Sequence, residues 1–125
     1  MRHIHQAIGF AIPVSYLQTA HVTDADAVVA RMPPGSMVIN ATGLGKDAPG
    51  SPLSDAVRFP ERGIAWEFNY RGDLVFLAQA KAQAASRQLR AEDGWVYFVH
   101  GWTRVIAEVF NIEIPAHGPP LSLIH

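Results

Sequence analysis

The chain has no cysteine, no excess of charge of either sign, and no uninterrupted apolar run of the length needed to span a bilayer. The first absence excludes disulfides, thiolate metal sites and a cysteine nucleophile, and fits a cytoplasmic protein. Ten Lys and Arg against eleven Asp and Glu leave a formal charge of -1. With the cations scattered, there is no electrostatic footprint for nucleic acid or for an anionic membrane. The most apolar early stretch, residues 7–17, is broken at Pro13 and Ser15 and gives way to Gln18, Thr19 and His21. It is too short and interrupted for a secretory signal or a membrane span, which predicts a soluble chain. Repeats, low-complexity tracts and linkers are also missing. What remains is a globular composition, 49% hydrophobic and 17% charged, over 125 residues. That is enough for one domain with a real core, but short for an enzyme that holds both a cofactor and a substrate.

Hydrophobic periodicity orders the elements. Ala7 to Leu17 reads as one or two short strands or a partly helical run broken at Pro13, within an N-terminal extension over residues 1–22. Thr23 and Asp24 look like a helix cap, with the helix running from Ala25 to Met32 and stopped by Pro33, Pro34 and Gly35. Ser36 to Ala41 has the β-branched character of a strand buried on both faces, and residues 43–53 form a loop dense in glycine and proline. Gly63 to Tyr70 is a second strand, rich in aromatics. Asp73 is placed to cap a helix over Leu74 to Leu89, which Arg90 to Gly94 interrupts. Trp95, Phe98, Val99, Trp102, Val105, Ile106, Val109 and Phe110 then recur at three- and four-residue steps and predict a long amphipathic helix. Residues 111–125 read as a tail, in which Leu121 to Ile124 offer a further edge strand. This order predicts a single α/β domain over residues 1–125, with a mostly parallel sheet flanked by helices.

In parallel sheets ligands bind at the carboxyl ends of strands. Asn40 and Thr42 put side-chain donors and acceptors at one such end, and Gly43 and Gly45 let backbone approach a bound molecule. The residues therefore predict a nucleotide-type site, with an ordinary strand and turn as the alternative. Glu67 to Arg71 end the second strand, so the two tips are expected to face a common crevice.

The run Ile39-Asn40-Ala41-Thr42-Gly43-Leu44-Gly45-Lys46 with Pro52-Leu53, then Glu67-Phe68-Asn69-Tyr70, then Gly94 and His100-Gly101, resembles the carboxyl-terminal half of the cofactor domain of the shikimate dehydrogenase family. The resemblance covers roughly residues 36–110, about three-fifths of the chain. It implies a partial Rossmann-like, three-layer domain and an oxidoreductase reading. NADP or NAD would be lined by Asn40, Ala41, Thr42, Gly43, Leu44 and Gly94, and Tyr70 and His100 would face a hydroxy acid of shikimate type. Departures are clear: Gly43 and Gly72 stand where the family has proline, Lys46 where it has methionine, and His100 where it has glutamine. No Gly-x-Gly-x-x-Gly turn is present to seat a pyrophosphate on a helix N-terminus, and the family's Lys and Asp pair has no counterpart. No catalytic residue is therefore assigned. The resemblance describes a fragment, or a truncated or split reading frame, that needs missing sequence for catalysis.

Several residues invite other readings. Lys46 and Asp47 are neighbours in a loop and suggest a solvated pair rather than a catalytic one. Glu67 is either a buried acid with a partner or points to water. His3, His5, His21, His117 and His125 lack a recognised ligand spacing, so no metal is assigned. Half of a sheet domain also uncovers a strand edge that must be paired, which predicts a homo-oligomer. The competing class is thus a non-catalytic, Rossmann-derived interaction or dimerisation module.

Overall fold

The computed structural model describes Gly9 and residues 12–115. Its element order is α1 (Val22–Ala30), β1 (Met37–Asn40), β2 (Ile64–Glu67), α2 (Val75–Arg87), β3 (Arg90–Glu92) and α3 (Trp95–Phe110). The three strands form one sheet in the order β1-β2-β3, with both pairings parallel. This is the α/β architecture the periodicity predicts, a parallel sheet with flanking helices. Among the described residues no helix is long and apolar enough to cross a membrane.

Strand alternation assigns the two sheet faces. Val38, Ala65 and Ala91 stand in register on one face. There they join Val29 of α1, Leu53, Val57 and Phe59 of the loop, and Phe76, Ala80 and Leu89 from α2 and its C-terminal turn. Phe59 and Phe76 meet edge to face at 5.5 Å, the geometry favoured by the ring quadrupoles. Met37, Ile64 and Arg90 form one row of the opposite face, and Ile39, Trp66 and Glu92 the next. That face is covered more thinly: Tyr97 from the first turn of α3 packs edge-on against Trp66 and stacks on Phe68 at 5.2 Å. Strand β1, expected to be buried on both faces, is an edge strand whose Met37 and Ile39 stay exposed because no helix among the described residues lies over them.

The parallel crossover from β1 to β2, residues 41–63, contains no helix. Irregular backbone must still satisfy its polar groups, and here one polar stripe of α2 does so. Gln79 Nε2 donates to the Leu53 carbonyl at 3.1 Å and Gln83 Nε2 to the Val57 carbonyl at 2.7 Å. Arg87 Nε donates to the Phe59 carbonyl, and the Phe59 N–H donates to Gln83 Oε1 at 3.1 Å. Spaced by four, these residues share one side of the helix. From α1, Asp26 Oδ1 accepts the Ser54 N–H at 3.0 Å.

Local boundaries differ from the sequence expectation in instructive places. Helix α1 begins one residue before Thr23 because His21 takes the cap position, its N–H donating to Asp24 Oδ2 at 3.1 Å. Asp73 does not cap α2, which starts from Leu74 in the left-handed region at φ 47. Arg90–Glu92, expected only to interrupt helices, forms the third strand. Residues 12–20 form neither helix nor strand, and the candidate strand over Leu121 to Ile124 lies outside the described residues.

Candidate functional site

The carboxyl ends of β1 and β2 converge. Asn40 and Glu67 are register partners on the core-facing side, one step beyond Val38 and Ala65, so their side chains meet where the apolar core ends. Asn40 is 1% exposed and Glu67 0% exposed. A carboxyl group this deep is tolerable only when its oxygens are satisfied. Asn40 Nδ2 donates to Glu67 Oε2 at 2.7 Å. Asn69 donates twice to Oε1, from its backbone N–H at 2.9 Å and from Nδ2 at 2.7 Å.

The network extends into the loop that follows β1. Asn40 Oδ1 accepts the Thr42 N–H at 3.0 Å and the Thr42 hydroxyl at 2.7 Å. Thr42 Oγ1 in turn accepts the Leu44 N–H at 3.2 Å. Asn69 Nδ2 reaches across to the Thr42 carbonyl at 3.1 Å and the Leu44 carbonyl at 3.3 Å. The loop is closed lower down by a turn in which the Gly45 N–H donates to the Ala48 carbonyl at 2.7 Å. Gly72, at φ +95, lies so close to the Gly45 carbonyl that a side chain there would collide with backbone. Both tips are thereby fixed to one another, and Ala41, Thr42 and Gly43 form an exposed rim above the buried polar layer.

The predicted site residues separate into three groups. Asn40 faces inward and spends its amide on the network, whereas Ala41 to Gly43 remain on the surface and Leu44 is half-buried. Gly94 is buried; its N–H donates to the Asn69 carbonyl at 3.1 Å, and a methyl in place of its hydrogen would overlap the Phe68 carbonyl. This glycine therefore allows the β2 end and the start of α3 to pack backbone to backbone. Tyr70 stacks on Phe98 with ring centroids 3.9 Å apart and lies 6.1 Å from the Trp95 ring. His100 is two positions beyond Phe98, about 200° further round α3, so it projects from the side away from Tyr70. It is exposed, and its backbone carbonyl accepts the Thr103 hydroxyl at 3.0 Å. Tyr70 and His100 are thus not brought together.

Lys46 and Asp47 form an ion pair with each other at 3.0 Å, on a loop where solvent screens it. Among the described residues no group of three or more His, Asp and Glu is arranged to hold a metal ion. His3, His5, His117 and His125 lie outside them. Sequence reasoning assigned no role to Asn69, whose side-chain amide shares its two hydrogens among Glu67 Oε1 and the Thr42 and Leu44 carbonyls. The signal was present in the alternation Ala65, Glu67, Asn69, which puts two polar groups on the face that carries the core.

No family model, curated protein or solved structure matches this chain. Functional inference rests on the site itself.

Proposed function

We propose that this chain contributes one wall of a dinucleotide site in an oxidoreductase similar to the shikimate dehydrogenases, with the catalytic groups supplied from outside these residues. The observation that carries the reading is the tie from Asn69 to the Thr42 carbonyl, which joins two parallel strand ends beneath one rigid rim. A preorganised backbone edge at the carboxyl end of a parallel sheet is where a nucleotide is held without a large ordering cost. For NADP or NAD the fit is partial. Exposed backbone at Ala41 and the Gly43 N–H are the groups offered to ribose or phosphate, while both backbone polar groups of Thr42, the Gly43 carbonyl, Asn40 and Gly94 are committed within the chain. A nicotinamide bound here would supply hydride chemistry, and the backbone rim would orient it and screen one side from water.

Titrating NADP and NAD against the full chain, followed by the fluorescence of its three tryptophans, tests this reading. Saturable quenching by either nucleotide at or below about 1 mM, the regime of a contact near −4 kcal/mol, is expected. No response to either, together with unperturbed amide resonances at Ala41 to Gly43, overturns it.

A second reading, a non-catalytic dimerisation module, is favoured by one observation: none of the residues of α3 is buried, although its sequence is strongly apolar along one side.

A further inference from the structure

We propose that α3 pairs with α3 of a second copy of this chain along the stripe Trp102, Val105, Ile106, Val109 and Phe110. This rests on the dimerisation reading and gives it a surface. The apolar positions of α3 advance by alternating steps of three and four, Trp95, Phe98, Trp102, Val105, Val109, the spacing of a seam shared by two helices crossing at a shallow angle. Its first turns are used within the chain, where Phe98 stacks on Tyr70 and Trp102 leans edge-on against Phe98 at 6.1 Å. Beyond Trp102 the same seam runs free: Trp102 is 54% exposed, Val109 70% and Phe110 69%.

Three features select a second copy as the occupant. Uncovered area on these five side chains is on the order of 550 Å² per copy, so a two-fold pair that buries the whole stripe reaches the ~1,000 Å² total expected of a specific interface. The charged residues of α3, Arg104 and Glu108, lie on the back of the helix and bond each other at 2.5 Å. The seam itself is therefore uncharged, and identical seams meet without repulsion under a two-fold axis. The polar back of α3 holds a single Arg neutralised by Glu108, which gives a bilayer no basic face to attract, unlike an interfacial membrane helix.

Sedimentation equilibrium of the full chain at about 10–100 μM, a range suited to an interface of this size, is the first measurement. A mass twice the 13.7 kDa of one chain is expected. Val105→Glu with Val109→Glu should return it to a monomer with an unchanged far-ultraviolet circular dichroism spectrum. Because the chain has no cysteine, single Val105→Cys, Ile106→Cys and Val109→Cys variants give a second measurement that does not depend on a disruptive substitution. Oxidation should cross-link at least one stripe position far more completely than Arg104→Cys on the back. A wild-type monomer throughout the range overturns both the pairing and the dimerisation reading. A dimer that survives the glutamates but is lost in Met37→Lys with Ile39→Lys, on the β1 edge, overturns the α3 seam and leaves the dimerisation reading standing. Co-flotation of the wild type, but not the glutamate variant, with phosphatidylcholine vesicles overturns the proposal in favour of a lipid surface.

Discussion

The polar layer under the rim has a direction, and reversing that direction is its sharpest test. Glu67 must act as an acceptor on both oxygens, because three donors from Asn40 and Asn69 point at it. Replacing it by its isostere in Glu67→Gln turns one oxygen into an amide NH2. With the new carbonyl kept toward Asn69, the amide nitrogen faces Asn40 Nδ2, and two donors stand 2.7 Å apart. Turning the Asn40 amide over only moves the conflict, since its Oδ1 already accepts both the Thr42 N–H and hydroxyl. Each buried donor left without an acceptor costs about 1–3 kcal/mol, so the substitution should destabilise by roughly 3 kcal/mol. That is a large share of the 5–15 kcal/mol that typically holds a domain together, and lowers the melting temperature by on the order of 10 °C. Asn40→Asp alone should be equally harmful, because it sets two carboxyl groups against each other. The double substitution, however, restores the pairing between the two positions with donor and acceptor exchanged, keeps the bonds to Asn69 and Thr42, and gives up only the long 3.5 Å bond from Asn40 Nδ2 to the Leu44 carbonyl. Urea denaturation of the four proteins therefore yields a coupling energy of several kcal/mol, with the double variant near the wild type. If the two single losses simply add, the hydrogen-bond directions assigned here are wrong.

Two further outcomes follow from backbone geometry. Gly94→Ala should cost at least about 3 kcal/mol, because the methyl meets the Phe68 carbonyl rather than a side chain that can rotate away; a thermal melt within two or three degrees of the wild type refutes the close packing. Gln88→Gly should stabilise by about 0.5–1 kcal/mol, since Gln88 is exposed and ends α2 in the left-handed conformation at φ 51 that glycine adopts without strain. A lower urea midpoint for that variant means its side chain contributes something the backbone angle does not reveal.

Elements with a strong periodic or β-branched pattern of their own were legible in the sequence, whatever their final burial. The Trp95 to Phe110 stripe repeats with helical spacing and forms α3 over those bounds, and the β-branched run before Asn40 forms β1. β3 was not legible, because Arg90-Ala91-Glu92 carries only one small apolar residue and owes its pairing to β2 rather than to its own composition. The role of Gln79, Gln83 and Arg87 was hidden for a related reason. On a helical pattern they read as a solvent face, and only the return of the loop over α2 converts them into donors for buried carbonyls. At the strand ends the sequence located the right residues but not their orientation. Asn40 looks like a ligand donor until Glu67 and Thr42 are found to occupy both ends of its amide.

That orientation separates scaffold from contact in a way nucleotide binding can read. If Ala41 to Gly43 meet a nucleotide through backbone, Asn40 acts only from behind, by holding the rim. The polarity-exchanged double variant keeps the rim held, since the bonds to Thr42 and from Asn69 beneath it are kept. It should therefore bind NADP or NAD as the wild type does, within a factor of about three, while Asn40→Asp alone loosens the Thr42 to Leu44 turn and weakens binding by tenfold or more, about 1.4 kcal/mol. A direct role for the Asn40 amide predicts the opposite pattern, because the exchanged variant no longer has an amide at that position and would bind no better than Asn40→Asp. Comparing the two affinities at equal fractions folded distinguishes a strand end that touches its ligand from one that positions the backbone above it.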